Sequence, residues 1–235
     1  MPGKNFRQLA GTSLVRRAIF DADESRIFSR IILSTDITHD SSDWWDASVF
    51  TPFGRHWRKP EHATDDAPDI WWVQDVLQNV EADAFAILRP TSPFRTADTI
   101  KRAWAQFQAN QPCDSIRAVE PVKQHPGKMW QVLNGRMTPL IGREWPPQAE
   151  DYVGVSTWTH KPWHSQPTQT LPKVYVQNAS LEIAWTYVVK AFDTISGRRV
   201  VPFFTEGHEG FDINTEDDWK EAERLMAHQP VEYLG

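Results

Sequence analysis

The chain has 235 residues, of which 40% are hydrophobic and 24% charged, and its net charge is −6. This composition can fill a core and argues against disorder, and the acidic balance argues against broad binding to duplex nucleic acid, which needs a basic surface. The single cysteine, Cys113, excludes an internal disulfide and fits a reducing cytoplasm. We find no apolar run of about 18 residues and no signal peptide, so neither a membrane span nor export is expected.

Strands and helices alternate in the first half of the chain. A first helix is predicted to start near Ser13, where apolar residues recur at helical spacing. The apolar runs 31–33 and 85–88 predict strands buried on both faces, each followed by polar residues. Residues 38–68, rich in Asp, His and Trp, are predicted to be irregular, and Thr96 is the expected N-cap of a further helix.

The second half continues this alternation around one interruption. Strands are predicted at 115–119 and 200–204, and a strand, a bend and a second strand over 174–185. Thr215 and Asp218 resemble a capping box that starts the last helix. The interruption lies between the strand predicted at 115–119 and the stretch 174–185. There prolines cluster over 121–173 and the helical period is lost, which predicts an irregular inserted lobe. The whole pattern predicts an α/β fold with a doubly wound, mostly parallel sheet that binds ligands at the carboxyl ends of its strands.

Four polar segments fall where such a sheet collects its ligand. They are Lys4–Asn5, Arg58, the loop 89–95 and the stretch Asp212–Asn214. Arginine grips phosphate through two hydrogen bonds, and Asp with Asn supplies hard oxygen ligands, so this set suits a phosphate-bearing substrate with a divalent cation. Each has a structural alternative: Lys4 as an exposed lysine, Arg95 as a loop brace, and Asp212 with Asn214 as turn formers.

In chain order, these segments resemble the acylneuraminate cytidylyltransferase family, which makes CMP-activated sialic-type sugars. The similar stretches are PGKNFRQLAGTSLV, RIILSTD, ILRPTSPFRTADTI, SIRAVEPVKQHPGKMW, YVQNASLEI and FDINTEDDW. The resemblance implies a nucleotide-diphospho-sugar transferase-like fold in a single domain over 1–235. It also implies that the lobe at about 121–175 is a dimerisation segment of a cytoplasmic homodimer.

The resemblance also implies the substrates, the cofactor and the site residues. CTP and a nonulosonic sugar acid would react with the help of Mg²⁺, and pyrophosphate would leave. Lys4 and Asp212 would be catalytic; Lys4, Asn5 and Arg58 would contact the nucleotide; Arg89, Thr91, Ser92 and Asn178 would face the sugar; and Asp212 with Asn214 would hold Mg²⁺.

Several positions depart from the family pattern. Arg89 replaces the usual glutamine of the sugar loop, Asn214 replaces a metal-binding aspartate, and Ala179 replaces a glycine. The sugar is therefore not expected to be ordinary sialic acid. Two alternatives stay open: a non-catalytic or degenerate binding relative, and a guanylyltransferase acting on a related sugar.

In the family, the turn at PGKN follows a central strand and a basic, glycine-containing loop. The sequence in hand starts at Met1, and the simplest expectation is that Met1 is an internal methionine of a longer protein. A true truncation or an inactive relative is the competing explanation. Without that strand, the sheet is expected to contain a slot with unpaired backbone edges.

Overall fold

A computed structural model describes residues 1, 3–37, 53–141 and 162–227. The chain divides into two compact units, Met1–Val119 with Gln177–Gly235, and Glu120–Val176. Within the described ranges, no helix combines the length and the apolar character needed to cross a membrane.

The strands and helices alternate along the chain and are numbered in chain order. The strands are β1 (Gln8–Leu9), β2 (Thr12–Ser13), β3 (Ile31–Thr35), β4 (Phe53–Trp57), β5 (Ala84–Ile87), β6 (Ser115–Pro121), β7 (Trp130–Leu133), β8 (Arg136–Pro139), β9 (Tyr175–Trp185) and β10 (Val200–Phe204). The α-helices are α1 (Leu14–Ser25), α2 (Asp69–Asn79), α3 (Ala97–Ala109), α4 (Tyr187–Phe192) and α5 (Glu216–Met226).

Side-chain caps begin three of the helices. The Ser13 hydroxyl accepts a hydrogen bond from the Arg16 amide at the start of α1. Thr96 starts α3 and Thr215 starts α5, each within a complete capping box. Such caps satisfy amides that have no partner inside the helix. The predicted helix starts at Ser13, Thr96 and Thr215 are therefore confirmed.

The larger unit is built on a four-stranded sheet in the order β10–β6–β9–β5. β10 and β6 are parallel, whereas β5 and β9 are antiparallel, so the sheet is mixed. Side chains of β5 alternate between two apolar clusters: Ala84 and Ala86 pack toward α3, and Phe85 and Ile87 pack toward α2. Helices therefore cover both faces, as expected of a doubly wound sheet.

Two local predictions were wrong. The stretch expected to be strand, bend and strand is one continuous strand, β9, because neighbours β6 and β5 hydrogen-bond to it on either side. Ala179 lies within it, so the bend expected near that residue does not form. The region 38–68 contains β4, which pairs in parallel with β3; this long-range pairing cannot be read from local periodicity, and residues 38–52 lie outside the described ranges.

The smaller unit is more regular than its sequence indicated. Strands β7 and β8 form an antiparallel hairpin around the Asn134–Gly135 turn, where both residues have positive φ, 51° and 72°. Asn-Gly suits such a turn because both residues tolerate this backbone region. A short 3₁₀ helix at Pro126–Lys128 precedes the hairpin, and two more lie after it at Trp163–Ser165 and Thr168–Thr170. Residues 142–161 of the predicted lobe lie outside the described ranges.

The sheet of the larger unit is interrupted beside β5. Among the described residues, β3 pairs only with β4, and β5 pairs only with β9. A cavity of about 760 Å³ separates β3 from β5, and it is lined by residues of α2, including Trp72, and by Ile183 and Trp185 of β9. The interruption agrees with the expected slot.

Candidate active site

The N-terminal turn meets the loop that precedes α5. The Lys4 ammonium donates to the Ile213 carbonyl at 2.6 Å and to Asn214 Oδ1 at 3.3 Å. The Ile213 amide in turn donates to the Thr91 carbonyl at 2.9 Å. Residues 4, 91 and 212–214, far apart in sequence, are thereby brought together.

Apolar packing holds these segments in place. Leu9, Leu14, Phe94, Ile213 and Trp219 are buried in one cluster that joins the first turn, the 89–95 loop and α5. Burial of several large apolar side chains is the main force available to fix three distant segments. The polar groups therefore lie at the edge of a packed cluster rather than on independent loops.

Three buried side-chain oxygens at this edge have no hydrogen-bond partner in the described part of the chain. They belong to Asn5 (Oδ1), Ser92 (Oγ) and Asp212 (Oδ1). A buried polar atom without a partner costs about 1–3 kcal/mol, so such atoms are uncommon unless water or a ligand satisfies them. All three belong to residues predicted from sequence to contact substrate or metal.

Asp212 and Asn214 fit a divalent cation that is held mostly by its substrate. Asn214 Nδ2 donates to Asp212 Oδ2 at 2.7 Å, which leaves Asp212 Oδ1 as the unpartnered carboxylate oxygen. The described residues contain no group of three or more His, Cys, Asp or Glu that could hold a metal alone. Mg²⁺ in nucleotide sites commonly uses one or two carboxylates together with substrate phosphates, and one carboxylate with one amide is compatible with that pattern.

Arg95 braces the loop 89–95. Its side chain is fully buried, and Nη1 donates to the Arg89 carbonyl at 3.0 Å and to the Ser180 carbonyl at 2.5 Å. Burial lowers the pKa of Arg95 to about 10, and the nearby Asp21 only partly offsets this. These contacts favour the structural alternative for Arg95.

Arg89 lies between two carboxylates at the carboxyl end of β5. Its Nη2 atom donates to Asp69 and lies 3.7 Å from Glu182 Oε1. Glu182 is itself paired with Arg117 at 2.9 Å. Burial raises the pKa of the Glu182 carboxyl despite the two arginines, whereas the Arg89 hydrogen bond and charge outweigh burial and lower the pKa of Asp69.

Arg58 lies directly after β4, near Asp69. Its Nε donates to Ser34 Oγ at 2.9 Å, and its guanidinium lies 4.6 Å from the centre of the Trp72 ring. Burial, together with the positive charge of Arg89, lowers the pKa of Arg58, while Asp69 and Asp36 act in the opposite direction. The structure therefore connects Arg58 to the environment of Arg89.

Asn178 is engaged along its own strand. Its Nδ2 donates to Thr205 Oγ1 at 2.9 Å, and its Oδ1 accepts from the Ser180 amide. The bond to Thr205 ties β9 to the end of β10, and the bond from Ser180 stays within β9. A sugar contact at Asn178 stays a prediction.

Sequence reasoning missed Asp69, Trp72, Arg117 and Glu182. Glu182 had a readable signal, because a carboxylate in the apolar run SLEIAW marks a buried charge that needs a partner. Asp69 follows Pro68 at the start of α2, where an acidic residue is ordinary and carries no functional signal. Only the fold places Asp69 against Arg89, 20 residues away in sequence.

Comparisons with characterised proteins place this geometry in context. No family model matches the chain. A curated relative, CMP-N,N'-diacetyllegionaminic acid synthase of Legionella pneumophila, is 28% identical over 233 residues, covering 96% of this chain and 90% of the relative. The chain is a homologue of CMP-nonulosonic acid synthases. Post-translational flagellin modification protein B of Campylobacter coli is 23% identical over 239 residues, covering 97% of this chain and 90% of that protein.

Solved structures of nucleotidyltransferases share the fold. CMP:2-keto-3-deoxy-manno-octonic acid synthetase complexed with CTP has a TM-score of 0.62 at 11% identity, covering 97% of this chain and 92% of that one. The 2-C-methyl-D-erythritol 4-phosphate cytidylyltransferase of Francisella tularensis has a TM-score of 0.60 at 11% identity, covering 94% and 92%. The predicted nucleotide-diphospho-sugar transferase-like fold is confirmed.

Proposed function

We propose that this homologue of CMP-nonulosonic acid synthases transfers CMP from CTP to a sialic-type, nonulosonic sugar acid and releases pyrophosphate. Similarity over 96% of the chain to CMP-N,N'-diacetyllegionaminic acid synthase supports the class of reaction. The observation that carries the assignment to this site is the meeting of Lys4, the Thr91 loop and Asp212 at one edge of a packed cluster.

The reaction requires positioning and charge neutralisation more than covalent catalysis. The anomeric hydroxyl of the sugar loses its proton and forms a bond to the α-phosphorus of CTP, and the bond from that phosphorus to the pyrophosphate oxygen breaks. We assign Lys4 to the phosphate charge, Asn5 and Arg58 to the nucleotide, and Arg89, Thr91, Ser92 and Asn178 to the sugar. A lysine bound beside the triphosphate offsets negative charge that shifts toward the leaving group.

Asp212, with Asn214, would hold the divalent cation implied for this class. The cation would supply further neutralisation of the triphosphate charge. The unpartnered Asp212 Oδ1 supports this role. The Lys4 ammonium, 3.3 Å from Asn214 Oδ1, places a second positive charge beside the same residues.

The functional unit is proposed to be a homodimer in the cytoplasm. The smaller unit exposes Val132, Leu133, Met137 and Leu140, an apolar surface of the kind that interfaces cover. The single cysteine of the chain supports a reducing compartment.

Nucleotide binding and transfer can be tested separately. Titration calorimetry with CTP, ATP, GTP and UTP in the presence of Mg²⁺ should show tightest binding for CTP. Pyrophosphate release should then depend on an added acid, tested with N,N'-diacetyllegionaminic acid, N-acetylneuraminic acid and 2-keto-3-deoxy-manno-octonic acid. Preference for GTP would replace the cytidylyl assignment by the guanylyl alternative, and binding without transfer of any acid would favour a non-catalytic relative.

A further inference from the structure

Arg89 meets both of its carboxylate partners through a single nitrogen. Nη2 donates to Asp69 Oδ2 and lies 3.7 Å from Glu182 Oε1. In the described part of the chain, Nη1 and Nε of Arg89 have no hydrogen-bond acceptor. The side chain is 35% exposed, and these two donors are the ones that remain for a ligand.

Carboxylates offset the positive charge of Arg89. The network contains two arginines, Arg89 and Arg117, and two carboxylates, Asp69 and Glu182, joined in a chain by ion pairs. Glu182 is 5% exposed, so its charge is poorly screened by water and remains effective at Arg89. Beyond this chain of ion pairs, Arg58 and Asp212 act on Arg89 in opposite directions. A guanidinium paired in this way offers N–H donors while its positive charge is offset by its partners.

The Asp69 carboxylate, which pairs with Arg89, is held in position by other contacts. Its second oxygen, Oδ1, accepts from the Trp72 indole at 2.9 Å, and the face of that indole packs on Arg58. Asp69 is the first residue of α2, so its backbone is fixed by the helix. The same carboxylate therefore orients Arg89 directly and Arg58 through Trp72.

We propose that Asp69 and Arg89 act as one neutral hydrogen-bond donor unit that selects an uncharged oxygen acceptor on the sugar, such as an acylamino carbonyl or a hydroxyl. Arg89 contacts the sugar, and Asp69 is the positioning residue that cancels its charge. The inference rests on the proposed function and adds a specificity rule to it. Because its charge is already neutralised, Arg89 competes weakly for the carboxylate of the sugar acid and leaves that group free to be bound elsewhere.

A double-mutant cycle tests this coupling. Asp69→Asn leaves Arg89 with excess positive charge, which should draw the sugar carboxylate into a wrong pose. We expect kcat to fall about tenfold without a rise in KM for the acid, and we expect that KM to depend more steeply on salt. Combining Asp69→Asn with Arg89→Gln restores a neutral donor that needs no counter-charge. The double variant should recover kcat to within about threefold and regain the salt dependence of the unmodified protein.

Asp98→Asn is the matched control. Asp98 lies in the first turn of α3, as Asp69 does in α2. Its side chain is 85% exposed, and among the residues that the structure describes it is paired only with Lys101, three residues on. It removes the same charge from a helix N-terminus and should change neither kcat nor the salt dependence. Losses in the cycle that simply add, or an unchanged salt dependence in Asp69→Asn, would overturn the inference.

Binding measurements separate this inference from the function itself. The four proteins of the cycle are the unmodified protein, Asp69→Asn, Arg89→Gln and the double variant. Their titration with N,N'-diacetyllegionaminic acid reports the salt dependence of binding without turnover. If the unmodified protein transferred CMP but the losses of the two single variants simply added in the double variant, the proposed function would be retained and the donor unit rejected. If no transfer occurred, but binding depended more steeply on salt in Asp69→Asn and returned to normal in the double variant, the proposed function would be rejected and the donor unit retained. Absence of both binding and transfer would overturn both.

Discussion

Asp212 and Asn214 form a pair whose behaviour should depend on a divalent cation. Asp212→Ala removes the unpartnered carboxylate oxygen and should abolish Mg²⁺-dependent transfer. Asn214→Asp replaces the amide that donates to Asp212 at 2.7 Å with a second carboxylate. Repulsion should lower the melting temperature of that variant without Mg²⁺, and added Mg²⁺ should raise it more than in the unmodified protein; transfer should be retained or improved.

Asp217→Ala is the control for these substitutions. Its side chain is 92% exposed on α5, close in sequence to Asp212, and is paired only with Lys220 in the described residues. Melting curves with and without Mg²⁺ should match those of the unmodified protein. Normal turnover in Asp212→Ala would show that the site is misplaced.

Asp114 is a buried carboxylate with a structural role outside the site. It accepts from the Tyr187 hydroxyl and from the amides of Arg198 and Arg199, and its side chain is 3% exposed. Gly197 has φ of +72°, and a Cβ there would lie 2.5 Å from the Asp114 Cβ, so the turn closes tightly on this side chain. Asp114 therefore anchors the segment that leads into β10.

Because of the Asp114 contacts, the free energy of unfolding should depend on pH. The hydrogen bonds hold the pKa of Asp114 well below its ordinary value of 3.8. A carboxyl whose pKa is lower when folded contributes stability that is complete above the unfolded pKa and is lost as pH falls through the folded value. Asp114→Asn should lower the free energy of unfolding at pH 7, and the loss should shrink below pH 3.8.

Urea unfolding at several pH values measures this effect. Asp217→Asn serves as the control, since its exposed carboxylate should leave the pH profile unchanged. A deficit in Asp114→Asn that stays constant from pH 7 to strongly acid conditions would contradict a role for the ionised carboxylate.

The functional importance of a single residue could be predicted when its motif is local in sequence, and could not when it depends on contacts with distant residues. Lys4 and Asp212 stood out in the sequence because their motifs are local, and the structure brings them to one edge. Asp69 did not stand out, because its meaning arises from Arg89 and Trp72, which only the fold places beside it. Charge balance at a site is a property of the assembled chain and has no local pattern.

At the scale of elements, local signals predicted helix starts well and strand pairing poorly. Ser13, Thr96 and Thr215 were readable because a cap bonds within about three residues of itself. The continuity of β9 and the antiparallel placement of β5 depend on neighbours far away in sequence. The β7–β8 hairpin was missed although Asn134–Gly135 is a strong turn signal.

The β7–β8 hairpin offers a test of assembly. Val132 and Met137 are paired across the hairpin and are 65% and 58% exposed. If this face is covered by a second copy of the chain, Val132→Asp with Met137→Asp should convert a dimer to a monomer by burying charge at the interface. Light scattering at micromolar concentration measures the mass.

Gln131→Asp with Thr138→Asp is the matched control for this test. These residues form the neighbouring cross-strand pair, and alternation along a strand directs them to the opposite side. This variant should remain dimeric. A monomeric mass for the unmodified protein, or equal masses for both double variants, would reject the hairpin as the dimer contact.

At the scale of the whole molecule, the most consequential feature is the interrupted sheet. The edges of β3 and β5 that face the cavity of about 760 Å³ have no strand partner among the described residues. The cavity is lined by polar and apolar side chains, and Trp72 of α2 with Phe85 and Ile87 of β5 form part of its apolar wall. A strand that fitted there would be buried on both faces and would read as a continuous apolar run.

A chain extended ahead of Met1 by a strand and a basic glycine loop should therefore be more stable than the 235-residue chain. A strand of about five residues would pair backbone groups on both neighbouring edges, which otherwise depend on water for their hydrogen bonds. This gain in pairing and in apolar packing should raise the melting temperature. The loop should also add amide donors and positive charge beside Lys4, and should therefore raise the rate of CTP turnover.

The control is an extension of the same length in which the apolar strand residues are replaced by serine. It keeps the added mass and the basic loop but cannot fill an apolar slot, so it should melt like the shorter chain. Binding of the dye ANS, which reports accessible apolar surface, should fall only in the apolar version. Equal melting temperatures in all three proteins would reject the slot as a strand site. If transfer to several nonulosonic acids were also absent in all three, a non-catalytic relative would become the better description, because the added strand and loop would then have produced no activity.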